Sequence, residues 1–72
     1  MKSGIYKHYK GKLYRVIGIA KHSETLEELV VYETLYENIT SRLWVRPLAM
    51  FCEEVEVGGK KIPRFEFLRT EL

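Results

Sequence analysis

"FCEEVEVGGKKIPRFEF", residues 51–67, is the stretch that decides the fold. Gly58-Gly59 can form the two-residue loop of a hairpin, because the favoured hairpin turns need positive φ and glycine reaches it without a Cβ clash. With that loop, Val57 faces Lys60, Glu56 faces Lys61, Val55 faces Ile62 and Glu53 faces Arg64. An apolar pair and two pairs of opposite charge then fall in register, each worth about 0.2–1 kcal/mol. Pro63 has no amide hydrogen to give a neighbour, so its strand is an edge there.

Upstream, apolar and β-branched runs alternate with turn signals in the same way. "IYKHYKGKLYRVIGIA" reads as a second hairpin turning at Lys10-Gly11-Lys12, with a long strand from Leu13 to about Ala20. Gly18 inside that strand predicts a bulge, which a small sheet needs in order to curl onto itself. A third strand is expected over Leu29 to Tyr36, then a polar loop from Glu37 to Ser41, then "RLWV" stopping at Arg46-Pro47. "LAMF" after Pro47 has room for one helical or 3₁₀ turn near 47–51. The expected fold is all-β, a small curled five-stranded SH3-like barrel in a single domain over residues 1–72. An OB-like or open five-stranded meander is the competing architecture.

A chain of 72 residues holds about 3–5 kcal/mol of stability unless something staples it. Cys52 is the sole cysteine, which excludes an internal disulfide and fits a reducing compartment. His8, His22 and Cys52 lack zinc-ligand spacing, so no metal is expected. Nothing in the sequence implies a cofactor. No apolar stretch approaches the length of a membrane span, and the amino terminus has no secretory pattern. The reading is a cytoplasmic monomer or weak homodimer with no membrane association.

The net charge of +2 hides an uneven distribution. Residues 1–22 carry Lys2, Lys7, Lys10, Lys12, Arg15 and Lys21 with no carboxylate, whereas 23–41 carry Glu24, Glu27, Glu28, Glu33 and Glu37 with no Lys or Arg. Such a split either polarises the surface or pairs off across neighbouring strands. Tyr6, Tyr9 and Tyr14 fall among Lys7, Lys10, Lys12 and Arg15. A basic face carrying aromatic rings is the physical recipe for single-stranded nucleic acid. The plain alternative is that the lysines protect an edge while the tyrosines lid the core.

His22, Ser23, Glu24 and Thr25 form a polar cluster before the third strand. They are turn formers, and Thr25 with Glu28 has a capping spacing. They also set a group that titrates near neutral pH beside a hydroxyl and a carboxylate. Adjacent Ser, His and Glu do not make a triad, because successive side chains on extended backbone point to opposite faces. No catalytic residue is therefore assigned. Arg46, between Val45 and Pro47 and just past Trp44, is suited to gripping a carboxylate or phosphate. A bridge from Arg46 to Glu24 or Glu33 is the structural alternative.

Taken together, HYKG at His8–Gly11, HSET at His22–Thr25 with Glu27, VVY at Val30–Tyr32 with Leu35 and Tyr36, WVRP at Trp44–Pro47, and MF at Met50–Phe51 with Glu53 resemble a family of small bacterial proteins, domain of unknown function 1653. The resemblance runs from Gly4 to Glu66, and the loop from 37 to 41 stands apart from it. It implies no activity. It does imply that the HSET cluster is more than a turn, forming one polar pocket from His22, Ser23, Glu24 and Thr25 with Trp44 and Arg46. The expected function is a non-catalytic module recognising an anionic ligand, with nucleic acid or a nucleotide foremost. A peptide-binding module for a protein partner is the alternative, followed by a small hydrolase-type enzyme using His22 with Glu24 or Glu27.

Overall fold

The computed structural model describes residues 1–37 and 40–70. Among these residues, seven strands and one helical turn follow in the order β1 (Gly4–His8), β2 (Leu13–Lys21), β3 (Glu28–Thr34), β4 (Leu43–Pro47), α1 (Leu48–Phe51), β5 (Glu54–Val57), β6 (Lys60–Pro63) and β7 (Phe65–Arg69). Five of them form one antiparallel sheet in the order β4-β3-β2-β1-β7, and β5-β6 make a separate two-stranded ribbon. The fold is all-β.

The ribbon has the register expected of it, with Val57 opposite Lys60, Glu56 opposite Lys61 and Val55 opposite Ile62. Gly58 and Gly59 sit at φ 58° and 80°, the two positive values a type I′ turn requires. Glu53 and Arg64 also meet, through the Arg64 N–H donating to the Glu53 carbonyl at 3.0 Å. The expected last strand is split in two at Arg64. Its N–H still serves the ribbon while its carbonyl accepts from the Tyr9 N–H at 2.9 Å, so the chain passes from one sheet to the other at this residue. Pro63 pairs only with β5, as an edge proline must.

Gly18 marks the expected bulge. The β2–β3 register slips between Val16 and Gly18, leaving Ile17 as the extra residue, and a second shift lies between Ile5 and Tyr6 where β1 meets β7. Each bulge adds bend and twist, and the sheet curls around one cluster of Tyr6, Val16, Val30, Tyr32, Phe51 and Phe65. Strand parity sets that inner face, since Val30, Tyr32 and Thr34 are buried in alternation along β3. The backbone ladder ends at β4 on one side and β7 on the other. Side chains span the gap: α1 delivers Phe51 flat against Phe65, 4.1 Å between centroids and 3° between planes, and the Arg46 guanidinium lies 5.7 Å from the Phe65 ring centroid.

Strand β3 stops at Thr34, short of the expected Tyr36. The loop expected over 37–41 includes 38 and 39, which lie outside the described residues. Among the described residues no helix is long and apolar enough to cross a membrane.

Candidate functional site

His22 to Thr25 form the tip of the β2–β3 hairpin. The His22 N–H donates to the Glu27 carbonyl at 2.8 Å, and the Leu26 N–H returns to the His22 carbonyl at 2.9 Å. The backbone N–H groups of Glu24 and Thr25 donate to His22 Nδ1 at 3.1 and 3.3 Å, and the Glu27 N–H donates to Thr25 Oγ1 at 3.2 Å. The imidazole thus plays the role of an Asx-type acceptor, closing the turn with its ring nitrogen. Leu26 takes φ 62° to complete it, a left-handed conformation rare for leucine. The Thr25–Glu28 capping pattern is replaced by this tighter Thr25–Glu27 bond, because no helix follows.

Trp44 lies elsewhere. It stands opposite Tyr32 on β3, five residues along from the level of His22, which is about 16 Å at ~3.3 Å per residue. The single pocket expected to unite the HSET cluster with Trp44 and Arg46 is therefore not brought together. A different set of side chains surrounds the indole. Tyr14, Tyr32, Tyr36 and Trp44 line an open hollow of about 230 Å³.

Its walls are held from several directions. Tyr14 meets Tyr32 and Tyr36 edge-on, with both centroid separations at 5.5 Å, and the Tyr14 and Tyr36 hydroxyls are 3.0 Å apart. The Trp44 indole N–H donates to the Ser41 carbonyl at 3.1 Å. Burial first, and then the bond to Tyr36, push the Tyr14 phenol above its ordinary value. The wall is uncharged and its hydroxyls remain hydrogen-bonding groups. Lys12 Nζ lies 4.6 Å from the Tyr36 centroid, placing a cation at the rim.

Arg46, opposite Val30, is on the inner face. The bridges expected from it to Glu24 or Glu33 are absent. Glu33 is on the other face of β3, where it binds Arg15 at 2.8 Å and Arg42 at 3.7 Å. The acidic segment thus pairs off with the basic one in part, through Arg15 and Glu33 directly across β2–β3. Among the described residues these are the ion pairs within 4 Å, so Arg46 and Arg64 have no carboxylate partner. Arg64 Nε is buried and its N–H donates to no partner among the described residues. The His8 ring lies 4.9 Å from Phe65. Burial first, then Arg46, Arg64 and Lys10, hold the His8 imidazole below its ordinary value. The Lys10 N–H donates to His8 Nδ1 at 3.1 Å.

The residues expected to form the basic hairpin face separate. Tyr6 is 6% exposed, packed edge-on against Phe51 and Phe67 with its hydroxyl donating to the Lys2 carbonyl at 2.7 Å. It is a core ring rather than a stacking platform, because β1 is an interior strand. Tyr9 is at the surface against His8, 4.6 Å between rings, with Lys10 Nζ 5.8 Å from its centroid. Lys7, Lys10 and Lys12 are exposed, and Arg15 is committed to Glu33. Among the described residues no group of three or more His, Cys, Asp or Glu converges as a metal site would. Cys52 is exposed.

A family model described as a protein of unknown function (DUF1653) matches residues 4–67. The chain belongs to the DUF1653 family. A crystal structure of a DUF1653 protein from Bordetella bronchiseptica has 36% sequence identity to it, covers 97% of this chain and 90% of that one, and superposes with a TM-score of 0.92. No curated protein matches it. In this DUF1653 chain the HYKG residues are the β1–β2 turn that carries His8, and HSET is the β2–β3 turn. Tyr32 and Tyr36, from the VVY and LY pieces, face Trp44 of WVRP across the hollow. Sequence reasoning singled out Trp44 but missed Tyr32 and Tyr36 as its partners, as well as Arg64 and His8. The alternation of Val30, Tyr32 and Thr34 was the available signal that Tyr32 shares a face with a cross-strand ring.

Proposed function

We propose that this DUF1653 chain is a non-catalytic cytoplasmic module that binds an anionic ligand, single-stranded nucleic acid or a nucleotide foremost. The observation that carries the reading is the hollow of Tyr14, Tyr32, Tyr36 and Trp44 with Lys12 at its rim. The half-buried Trp44 among these rings is a surface on which a nucleobase can stack, a contact worth about 1–3 kcal/mol per base and tolerant of sequence. Lys7, Lys10 and Lys12 lie on or beside the β1–β2 turn, where they would follow the phosphates. A quaternary ammonium also suits an aromatic box. Here Lys12 already occupies the Tyr36 face, and the nearest acidic strand residue, Glu33, is turned away and neutralised by Arg15. The electrostatics favour an anion carrying a flat ring.

Trp44 is the sole tryptophan, so its fluorescence reports the hollow directly. Titration with a mixed-sequence single-stranded RNA should quench it saturably, and Trp44→Ala should reduce affinity about tenfold or more, the equivalent of one lost stacking contact. Unchanged fluorescence over the whole titration would dispose of the reading. A peptide laid on the same rings is the second reading, favoured by the two free edges of the β5–β6 ribbon. Co-purification of one protein that survives nuclease and is lost in Trp44→Ala would select it instead.

A further inference from the structure

Strand β4 ends the sheet, with β3 as its neighbour on one side only. The phase of that ladder is fixed where the Thr34 N–H donates to the Arg42 carbonyl at 3.1 Å. Antiparallel bonds alternate along a strand, so Trp44 and Arg46 exchange theirs with Tyr32 and Val30, while Leu43 and Val45 turn N–H and C=O away from β3. Pro47 turns only its carbonyl outward, having no N–H. Among the described residues no backbone group takes up these outward donors and acceptors. The side chains on this rim are apolar: Leu43 is 46% and Val45 58% exposed, Val45 stands opposite Val31 and Pro47 opposite Leu29. The other edges are finished differently. The ribbon carries Glu54, Glu56, Lys60 and Lys61, and β7 carries Glu66 and Arg69, charges that discourage pairing by another strand. On β4 the charged residue is Arg46, and it is on the inner face.

We propose that β4 is a self-association edge, at which a second copy of this chain adds its own β4 antiparallel across a two-fold axis at Val45. The outward groups complement themselves in that register. Val45 exchanges two hydrogen bonds with Val45 of the partner subunit, and the Leu43 N–H donates to the carbonyl of Pro47 of the partner subunit. The return bond cannot form, because proline has no N–H to give. The acceptor this leaves over is the Leu43 carbonyl, which already accepts from Ser41 Oγ at 2.7 Å. That match favours a second copy over an arbitrary strand, which would aim an N–H at a carbonyl already occupied. Side chains agree with the backbone, since Leu43, Val45 and Pro47 meet their own kind in reverse order and no like charges stand opposed. Trp44 falls opposite Arg46 of the partner subunit, a favourable pairing of indole and guanidinium. An edge of five residues covers less than the ~1,200 Å² at which stable complexes begin, so the dimer is weak and fills at high concentration. Its two-fold symmetry closes it, so no filament grows. This association goes beyond the ligand reading and does not depend on it.

Sedimentation velocity of the wild-type chain from micromolar to millimolar concentration should show a reversible monomer–dimer equilibrium. Over the same range, amide hydrogen exchange at Leu43 and Val45 should slow, while the amides of the ribbon and of β7 keep their rates. Val45→Lys and Val45→Glu, at an exposed position, should each fold as the wild type does by circular dichroism and weaken self-association about tenfold or more, because like charges then meet on the axis. An equimolar mixture of the two variants should associate again, since opposite charges face each other only if residue 45 meets itself. A chain that stays monomeric to millimolar concentration, a dimer in which the Leu43 and Val45 amides exchange unchanged, or a mixture no stronger than either variant alone would overturn the edge. The exchange measurement uses the wild type, so it decides the matter even if a variant does not fold. Quenching of Trp44 by RNA is read in dilute solution, where the chain is monomeric, so the ligand reading and this one stand or fall separately.

Discussion

Gly4 shows how much one residue can hold in a sheet this small. It adopts φ 144°, and a Cβ added there would sit 2.5 Å from the Arg69 carbonyl oxygen and 3.0 Å from the Phe67 ring. The obstacle is backbone on the neighbouring strand, so it cannot rotate away. Gly4→Ala should cost roughly 2–3 kcal/mol, read as a lower urea midpoint with an unchanged slope. His8 acts through protonation instead. Its pKa in the folded chain lies below the ordinary 6.5, by burial and then by Arg46, Arg64 and Lys10, with Glu66 on the adjoining wall beside Lys7. The unfolded chain therefore takes up this proton at higher pH than the folded one. The stability His8 contributes is complete above about 6.5, declines as pH falls through the folded value, and is constant below it. Protonation at Nδ1 also breaks the bond from the Lys10 N–H. His8→Asn, which keeps an acceptor and cannot titrate, should remove that acid-dependent decline. Stability profiles of the two proteins that run parallel from neutral to acid pH would contradict this account.

Among the elements, α1 has an influence out of proportion to its four residues. Pro47 starts it with φ already near the helical value, and the single turn closes when the Cys52 N–H donates to the Leu48 carbonyl at 3.0 Å. That turn places Phe51, 2% exposed, onto Phe65 in the space where the ladder is open. Phe51→Ala should cost about 3–5 kcal/mol, comparable with the whole ~3–5 kcal/mol expected of a domain this size. Circular dichroism at room temperature should find that variant largely unfolded. The elements themselves were legible in the sequence because their signals are local. Gly58-Gly59 and Lys10-Gly11-Lys12 fix loop conformation within a few residues, and the ribbon register follows by counting. The division at Arg64 was not legible, since nothing in "IPRFEF" distinguishes a continuous strand from one that exchanges partners. That exchange depends on Glu53 and Tyr9 arriving on either side of one residue.

For the molecule as a whole, the uneven charge along the chain resolves into two faces. The outer face of β2–β4 neutralises itself through Arg15, Glu33 and Arg42, while Lys12 sits at the rim of the aromatic hollow with no carboxylate within 4 Å among the described residues. Nucleic-acid binding on the second face should weaken with salt, log K falling against log salt with a slope of about −0.7 for each phosphate contacted on a single strand. Lys12→Gln should reduce that slope by one such contact, whereas Arg42→Gln should leave it as it was. An affinity constant from low to high salt would show that ion pairing plays no part. The sequence by itself determined the all-β class, the turns, the Gly18 bulge and the family, because each depends on backbone preference or on residue order. Only the tertiary structure decided which side chains share a site. It separated His22 from Trp44 by the length of a hairpin and made the HSET cluster a turn. It also gathered Tyr14, Tyr32, Tyr36 and Trp44 from three strands and a loop, and set Arg46 over Phe65. Those neighbours are distant along the chain, and their meeting follows from the curl and register of the whole sheet, which no local pattern encodes.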